Sequence, residues 1–312
     1  MDFDVLMLGS GTARVLARSG LTGSVHSLFD RAVNLRLAGR IVTLQHSSLP
    51  RTPLMLAVNP AVSFRDLCLV PGSRVRVEQG SVMVKGHRFC YTAAPAWDAR
   101  LPLSFSAEAQ VMVLRQGVSR ALDLAASPRG PGGLGPIAGL CRQNLPPPDR
   151  GSPLLQAAVP VLEALLAAAG QERELELIPA LTTLIGLGPG LTPSGDDFLV
   201  GFLSVLSLLE KGNPRIGSFA RALRQAIREA GQEKTTPVSR EFLLAACSGE
   251  FSEPFHRLYR AAAALDGPGT LAAAVRFTGI GHTSGIDGLT GIIYGLSLWR
   301  PLLCLAPAAA GR

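Results

Sequence analysis

The pattern Ser-Gly-x-Asp-x-Leu-x-Gly occurs twice, at Ser194–Gly201 and again at Ser284–Gly291. In each copy the serine and the aspartate three residues later have the spacing of a capping box, in which the hydroxyl and the carboxylate satisfy backbone amides at a helix start. Asp197 and Asp287 are therefore expected to be structural caps. Gly201 and Gly291 recur at the same distance from those caps, and Gly288, Gly291 and Gly295 fall on one helical stripe. Interior glycines weaken a helix, so a stripe of them implies that a neighbouring backbone comes close. The two helices are expected to pack together, running the same way, with their N-termini on one side. Free amides and the positive end of each helix dipole would then form a hollow for a small anion.

The residues around these starts suggest what such a hollow could do. Gly188 and Gly190 in the loop before the first motif, with Thr192, Ser194 and Gly195, offer amides and hydroxyls to a ligand. Thr283, Ser284 and Gly285 do so in the second. Asp196 has no counterpart in the second copy, where Ile286 stands, and capping does not explain it. It reads either as a first-turn acid favoured by the helix dipole or as a catalytic or metal-binding carboxylate. His282 reads as a loop hydrogen-bonder or as a proton shuttle. A third helix start, Thr236-Pro237, is followed by Arg240, which is either an exposed helix arginine or a bidentate clamp for phosphate or carboxylate. The catalytic candidates are thus Asp196 and His282, and the remaining residues are candidates for substrate binding.

Composition narrows the partners. Of 312 residues 47% are hydrophobic and 17% charged, which describes a folded chain with cores to fill. The formal charge is +7, yet the basic residues are nearly all scattered arginines without a run or interleaved aromatics, so no nucleic-acid partner is expected. The five cysteines form no C-x-x-C pair, which argues for a reducing cytoplasm and against a disulfide framework or a zinc site. The N-terminal segment lacks the basic start and apolar run of an export signal. The apolar runs are too short for a membrane span.

The elements that must position the motifs divide the chain. From about residue 24 to 92, short alternating or β-branched stretches separated by Ala38-Gly39 and Gln79-Gly80 predict an antiparallel β-rich unit. The early "MLGSGTARV" lacks the third glycine of a dinucleotide fingerprint, since Arg14 stands there, and is read as a turn. A helix is predicted from an N-cap at Ser106. The Gly/Pro-rich stretch 127–152 is read as a linker, and residues 153–312 as all-helical, including one helix over Gln171–Ile185. The fold class is α+β, with a β-rich N-terminal domain (1–126) followed by an all-α C-terminal domain.

With these residues assembled, "GLGPGLTPSGDDFLVGFL" and "GHTSGIDGLTG" resemble the hallmark segments of a bacterial family long described only as a domain of unknown function. One branch is assigned as a subunit of the oxamate carbamoyltransferase of anaerobic allantoin degradation. The resemblance spans most of the chain and implies phosphorolysis of oxalurate to oxamate and carbamoyl phosphate, in a complex with two larger subunits. It supplies no catalytic residue and fixes no cofactor. A second resemblance, to the dimagnesium ADP-ribosylglycohydrolases, would make Asp196, Asp197 and Asp287 magnesium ligands. A third reading is a noncatalytic assembly subunit whose glycine-rich face docks partner chains.

Overall fold

The computed structural model describes residues 1–126, 133–141, 152–168 and 173–298. Strand β1 (Asp2–Gly9) leads into a short helix α1 (Ser10–Leu16). Strands β2 (Thr22–Leu28), β3 (Ala32–Leu37), β4 (Arg40–His46), β5 (Met55–Val58), β6 (Arg74–Glu78), β7 (Ser81–Val84), β8 (His87–Cys90) and β9 (Ala96–Trp97) follow. They hydrogen-bond in the order β5-β4-β3-β2-β6-β7-β8-β1, and β1 also pairs with β5, so that eight strands close on themselves and β9 is added beside β1. Closure leaves the barrel strands no unpaired edge between them. Val33 and Leu35 in β3, Val42 and Leu44 in β4, Val75 and Val77 in β6 and Phe89 in β8 fill the core at alternating positions, as the pleat requires.

Both expected hairpin tips are present. Ala38 and Gly39 take positive φ between the paired Leu37 and Arg40, and Gly80 does so between Glu78 and Ser81. Two expectations need correction. The barrel is not wholly antiparallel, because β4–β5, β1–β8 and β1–β9 run parallel. "MLGSGTARV" is the end of β1 and the start of α1 rather than a turn.

The remaining helices are α2 (Glu108–Ala125), α3 (Pro153–Ala168), α4 (Ile178–Leu181), α5 (Ser194–Leu209), α6 (Pro214–Lys234), α7 (Pro237–Cys247), α8 (Glu253–Ala263), α9 (Gly267–Thr278) and α10 (Ser284–Ser297). The stretch expected to form one helix from Gln171 is, over its described part, a succession of short turns of 3₁₀ type around α4. Helix α2 starts at Glu108, one residue later than an N-cap at Ser106 implies; Gln110 Oε1 accepts from the amides of Ser106 and Ala107 at 3.2 and 3.3 Å and takes over the capping.

The chain divides into two compact units, one of Met1–Leu101 with Thr236–His256 and the other of Pro102–Thr235 with Arg257 onward. This differs from the boundary at 126 read from the sequence. Residues 236–256 join the barrel unit through α7, which packs on β4, and through ion pairs: Arg40 Nε lies 2.7 Å from Glu241 Oε1, and Arg14 Nη1 lies 2.7 Å from Glu250 Oε1. The expected linker also changes character where it is described. Gly135–Cys141 is a 3₁₀ helix with Leu134, Ile137 and Ala138 buried, and Tyr294 donates its hydroxyl proton to the Ile137 carbonyl at 3.0 Å. The rest of 127–152 lies outside the described residues.

Candidate functional site

Within the helical unit α5 and α10 are the most extensively packed pair of elements. Their glycines explain the approach. A Cβ on Gly201 would fall 2.0 Å from the Gly288 carbonyl oxygen, and one on Gly291 would fall 2.0 Å from that of Phe198. Gly201 and Gly291 occupy the last position of each motif copy, and Phe198 and Gly288 the fifth, so the contact is reciprocal. Further along, Gly295 packs on Val205, the residue at the same offset in the other copy. Such a pattern arises only when the helices run parallel and are related by an approximate two-fold axis between them. The N-termini therefore lie side by side, as expected from the repeat.

The carboxylates do not cap their own helices. The N-cap residues are Pro193 for α5 and Thr283 for α10, and neither supplies a side-chain cap. Instead the two acids are crossed. Asp197 faces the hydroxyls of Ser284 and Thr192, and Asp287 faces those of Ser194 and Thr283. Thr192 Oγ1 and Ser284 Oγ are 3.0 Å apart and join the two loops directly. The role of Asp197 and Asp287 as capping acids is thus replaced by a meeting of matched residues across the pseudo-axis.

Electrostatically the meeting is costly. Asp287 is fully buried and its Oδ1 accepts from the Leu134 amide at 2.6 Å. The Oδ2 atoms of Asp197 and Asp287 are both buried without a hydrogen-bond partner; the hydroxyls face them but do not align on them. Burial pushes the Asp197 carboxyl up to about 8, the Asp287 charge adds to this, and the Ser284 and Thr192 hydroxyls oppose it. Burial likewise raises Asp287 to about 6, against the Leu134 amide and the Ser194 and Thr283 hydroxyls. Both carboxyls are thus shifted towards the protonated form, and the titration belongs to the pair. Asp287 is fully buried and Asp197 half-buried, with the Oδ2 atom of each closed off from solvent.

Asp196 turns elsewhere. It is fully buried, Oδ1 accepts from the Gly186 amide at 2.9 Å, and Oδ2 accepts from the Thr235 hydroxyl. It thereby ties the glycine loop to the end of α6, and Gly186 must be glycine because a Cβ would fall 1.9 Å from the Lys234 carbonyl oxygen. Both Asp196 oxygens thus accept hydrogen bonds from within the chain. Among the described residues no group of three or more His, Cys, Asp and Glu could hold a metal ion. Gly188 and Gly190 both take positive φ in the loop before α5, and His282 is exposed before α10. The predicted cap at Thr236 forms, its hydroxyl accepting from the Ser239 amide at 3.1 Å, but Arg240 lies on α7 in the barrel unit. Sequence reading missed Gly133 and Leu134, which close over Asp287: a Cβ on Gly133 would fall 2.7 Å from Asp287 Oδ1.

A closed barrel, and a helical unit in which two copies of one glycine-rich motif bring two carboxyls together at adjacent helix starts, define an α+β protein. Residues 184–296 match the family model described as oxamate carbamoyltransferase subunit AllH, and residues 4–96 match the AllH family N-terminal domain. The chain belongs to this family. The first match takes in both helix starts and the second the barrel. No curated protein and no solved structure matches the chain. Among the described residues no helix is long and apolar enough to cross a membrane.

Proposed function

We propose that this chain supplies the helix starts of α5 and α10 as the site of carbamoyl transfer between the oxamate nitrogen and phosphate, within a cytoplasmic complex that includes two larger subunits. The observation that carries the reading is the meeting of Asp197 and Asp287 beside two helix N-termini, each with a buried Oδ2 that no donor in the chain satisfies. In the direction of phosphorolysis a phosphate oxygen attacks the ureido carbonyl of oxalurate. The C–N bond breaks, a C–O–P link forms, and the departing nitrogen takes a proton to become the amide of oxamate. Asp197 donates that proton, and the proton lost by the attacking hydrogen phosphate restores it. Helix-end amides and the hydroxyls of Thr192, Ser194, Thr283 and Ser284 stabilise the charge that develops on the carbonyl oxygen.

The test is carbamoyl phosphate formation from oxalurate and phosphate by the reconstituted complex. Asp197→Asn is expected to lower kcat by roughly 10²–10⁴-fold, the usual contribution of a positioned acid, without loss of assembly. Wild-type turnover in that variant would leave an assembly role as the better reading.

A further inference from the structure

The barrel unit carries a pocket that the carbamoyl-transfer reading does not use. It encloses about 390 Å³, within the range of small-molecule sites, and its lining includes Ser10, Arg14, Trp97, Asp98, Arg100 and Glu250. The early glycine motif builds one wall. A Cβ on Gly9 would fall 2.3 Å from the Thr52 carbonyl oxygen, and one on Gly11 2.8 Å from that of Pro53. The start of α1 is thus pressed against this backbone, and it presents Ser10 and Arg14, one helical turn apart, together. An antiparallel bridge sets Arg100 beside Glu250 and builds the facing wall. Glu250 is buried and accepts from the Ser10 hydroxyl at 2.8 Å and from both terminal nitrogens of Arg14. It fixes Arg14 from behind while most of the arginine side chain stays in solvent, close enough to Arg100 for the two like charges to oppose each other.

A guanidinium carries five N–H groups. Arg14 spends two on Glu250, one from each terminal nitrogen, and Arg100 spends one from Nε and one from Nη2 on Asp98, so each retains three. Both acids have turned their oxygens to these arginines, and what a ligand meets is a surplus of donors. An oxyanion satisfies them, since planar N–H forks match its oxygens. The four charges of the two pairs cancel, so the second charge of a phosphate would be desolvated without a matching cation, and a singly charged carboxylate fits better. Trp97 adds a flat wall, its ring held by the Arg51 guanidinium at 5.7 Å from the centroid. We propose that this pocket binds a small planar organic carboxylate, its oxygens bridging Arg14 and Arg100 and its flat body lying against Trp97.

Isothermal titration of the purified chain with benzoate tests this. Benzamide serves as the uncharged isostere, acetate as a carboxylate without the ring, and inorganic phosphate as the more highly charged ion. Benzoate is expected to bind at least about tenfold more tightly than benzamide, the scale of one hydrogen bond to a charged group, and more tightly than acetate or phosphate. Arg100→Gln should weaken benzoate about tenfold and leave Tm unchanged, because Arg100 and its partner Asp98 are both exposed. Trp97→Leu should bring benzoate down to the level of acetate. Equal binding of benzoate and benzamide, no saturable binding of benzoate, tighter binding of phosphate, or a benzoate affinity unchanged in Arg100→Gln would each overturn the inference. Hexaglutamate bound more tightly than benzoate would overturn it in favour of an acidic segment of a partner chain. Binding is read on the chain alone and without turnover, so loss of the proposed reaction at the helix starts would leave this result standing.

Discussion

The two neighbouring acids of the first motif have different partners, and stability measurements separate them. Asp196→Ala leaves the Gly186 amide and the Thr235 hydroxyl without their acceptor, and should cost about 2–3 kcal/mol by chemical denaturation. Asp197→Asn should act in the opposite sense. Folding raises the Asp197 carboxyl to about 8, so the folded state holds a proton that the unfolded chain gives up near 4. Stability from this group is fully present below the unfolded value and declines as pH rises towards 8. An asparagine cannot ionise and escapes the decline, so the variant's Tm should exceed that of the wild type increasingly from pH 5 to pH 9. A difference that stays constant with pH would show that Asp197 is not held neutral. The repeat did contain the signal for this meeting: Asp197 and Asp287 occupy matched positions, and matched positions meet across a two-fold axis, whereas Asp196 has no counterpart to meet. What no pattern offered was Leu134, whose amide reaches Asp287 from a stretch in which glycine and proline hide any period.

At the scale of the element, the contact between α5 and α10 depends on atoms that are missing. Gly201→Ala or Gly291→Ala would place a methyl about 2.0 Å from a carbonyl oxygen of the facing helix, and backbone on both sides leaves nothing flexible to yield. Separation of the helices is the only relief. Either change should cost more than about 3 kcal/mol, as severe overpacking does, and weaken carbamoyl transfer by parting Asp197 from Ser284. Gly217→Ala in α6 provides the contrast, since its added carbon would meet Arg221 and Glu210 atoms no closer than 3.5 Å. There the usual gain of about 0.5–1 kcal/mol for replacing a helical glycine should appear. Thermal melts of the three variants check the argument, and a destabilised Gly217→Ala would count against it. The stripe made this contact legible in advance, because an unfavourable residue repeated at helical spacing has to be compensated by packing.

For the molecule as a whole, the strands and the helical half were legible from alternation and helical period, but the boundary between units was not. The barrel signal ends near residue 97, and α2 has the same helical period whichever unit it joins. Nothing local in residues 236–256 marks them as part of the barrel unit; their membership is written in long-range pairs. Phe251 donates its amide to the Ala99 carbonyl at 2.8 Å, Glu253 to that of Arg51 at 2.8 Å, and Leu101 to that of Gly249 at 3.3 Å. Glu241 and Glu250 are 2% and 3% exposed while their partners Arg40 and Arg14 reach solvent, so these ion pairs hold buried acids in place. A fragment of residues 1–126 would lose all of these and uncover the surface protected by Val238, Leu243, Ala246 and Phe251. Residues 1–101 joined by a flexible linker to 236–256 would keep them. The fused fragment should therefore be soluble and melt cooperatively, and residues 1–126 alone should aggregate or melt at least about 10 °C lower, which corresponds to a deficit of roughly 2 kcal/mol in a domain of this size. Equal melting temperatures would mean that the barrel completes its own core, and that residues 236–256 only lie against it.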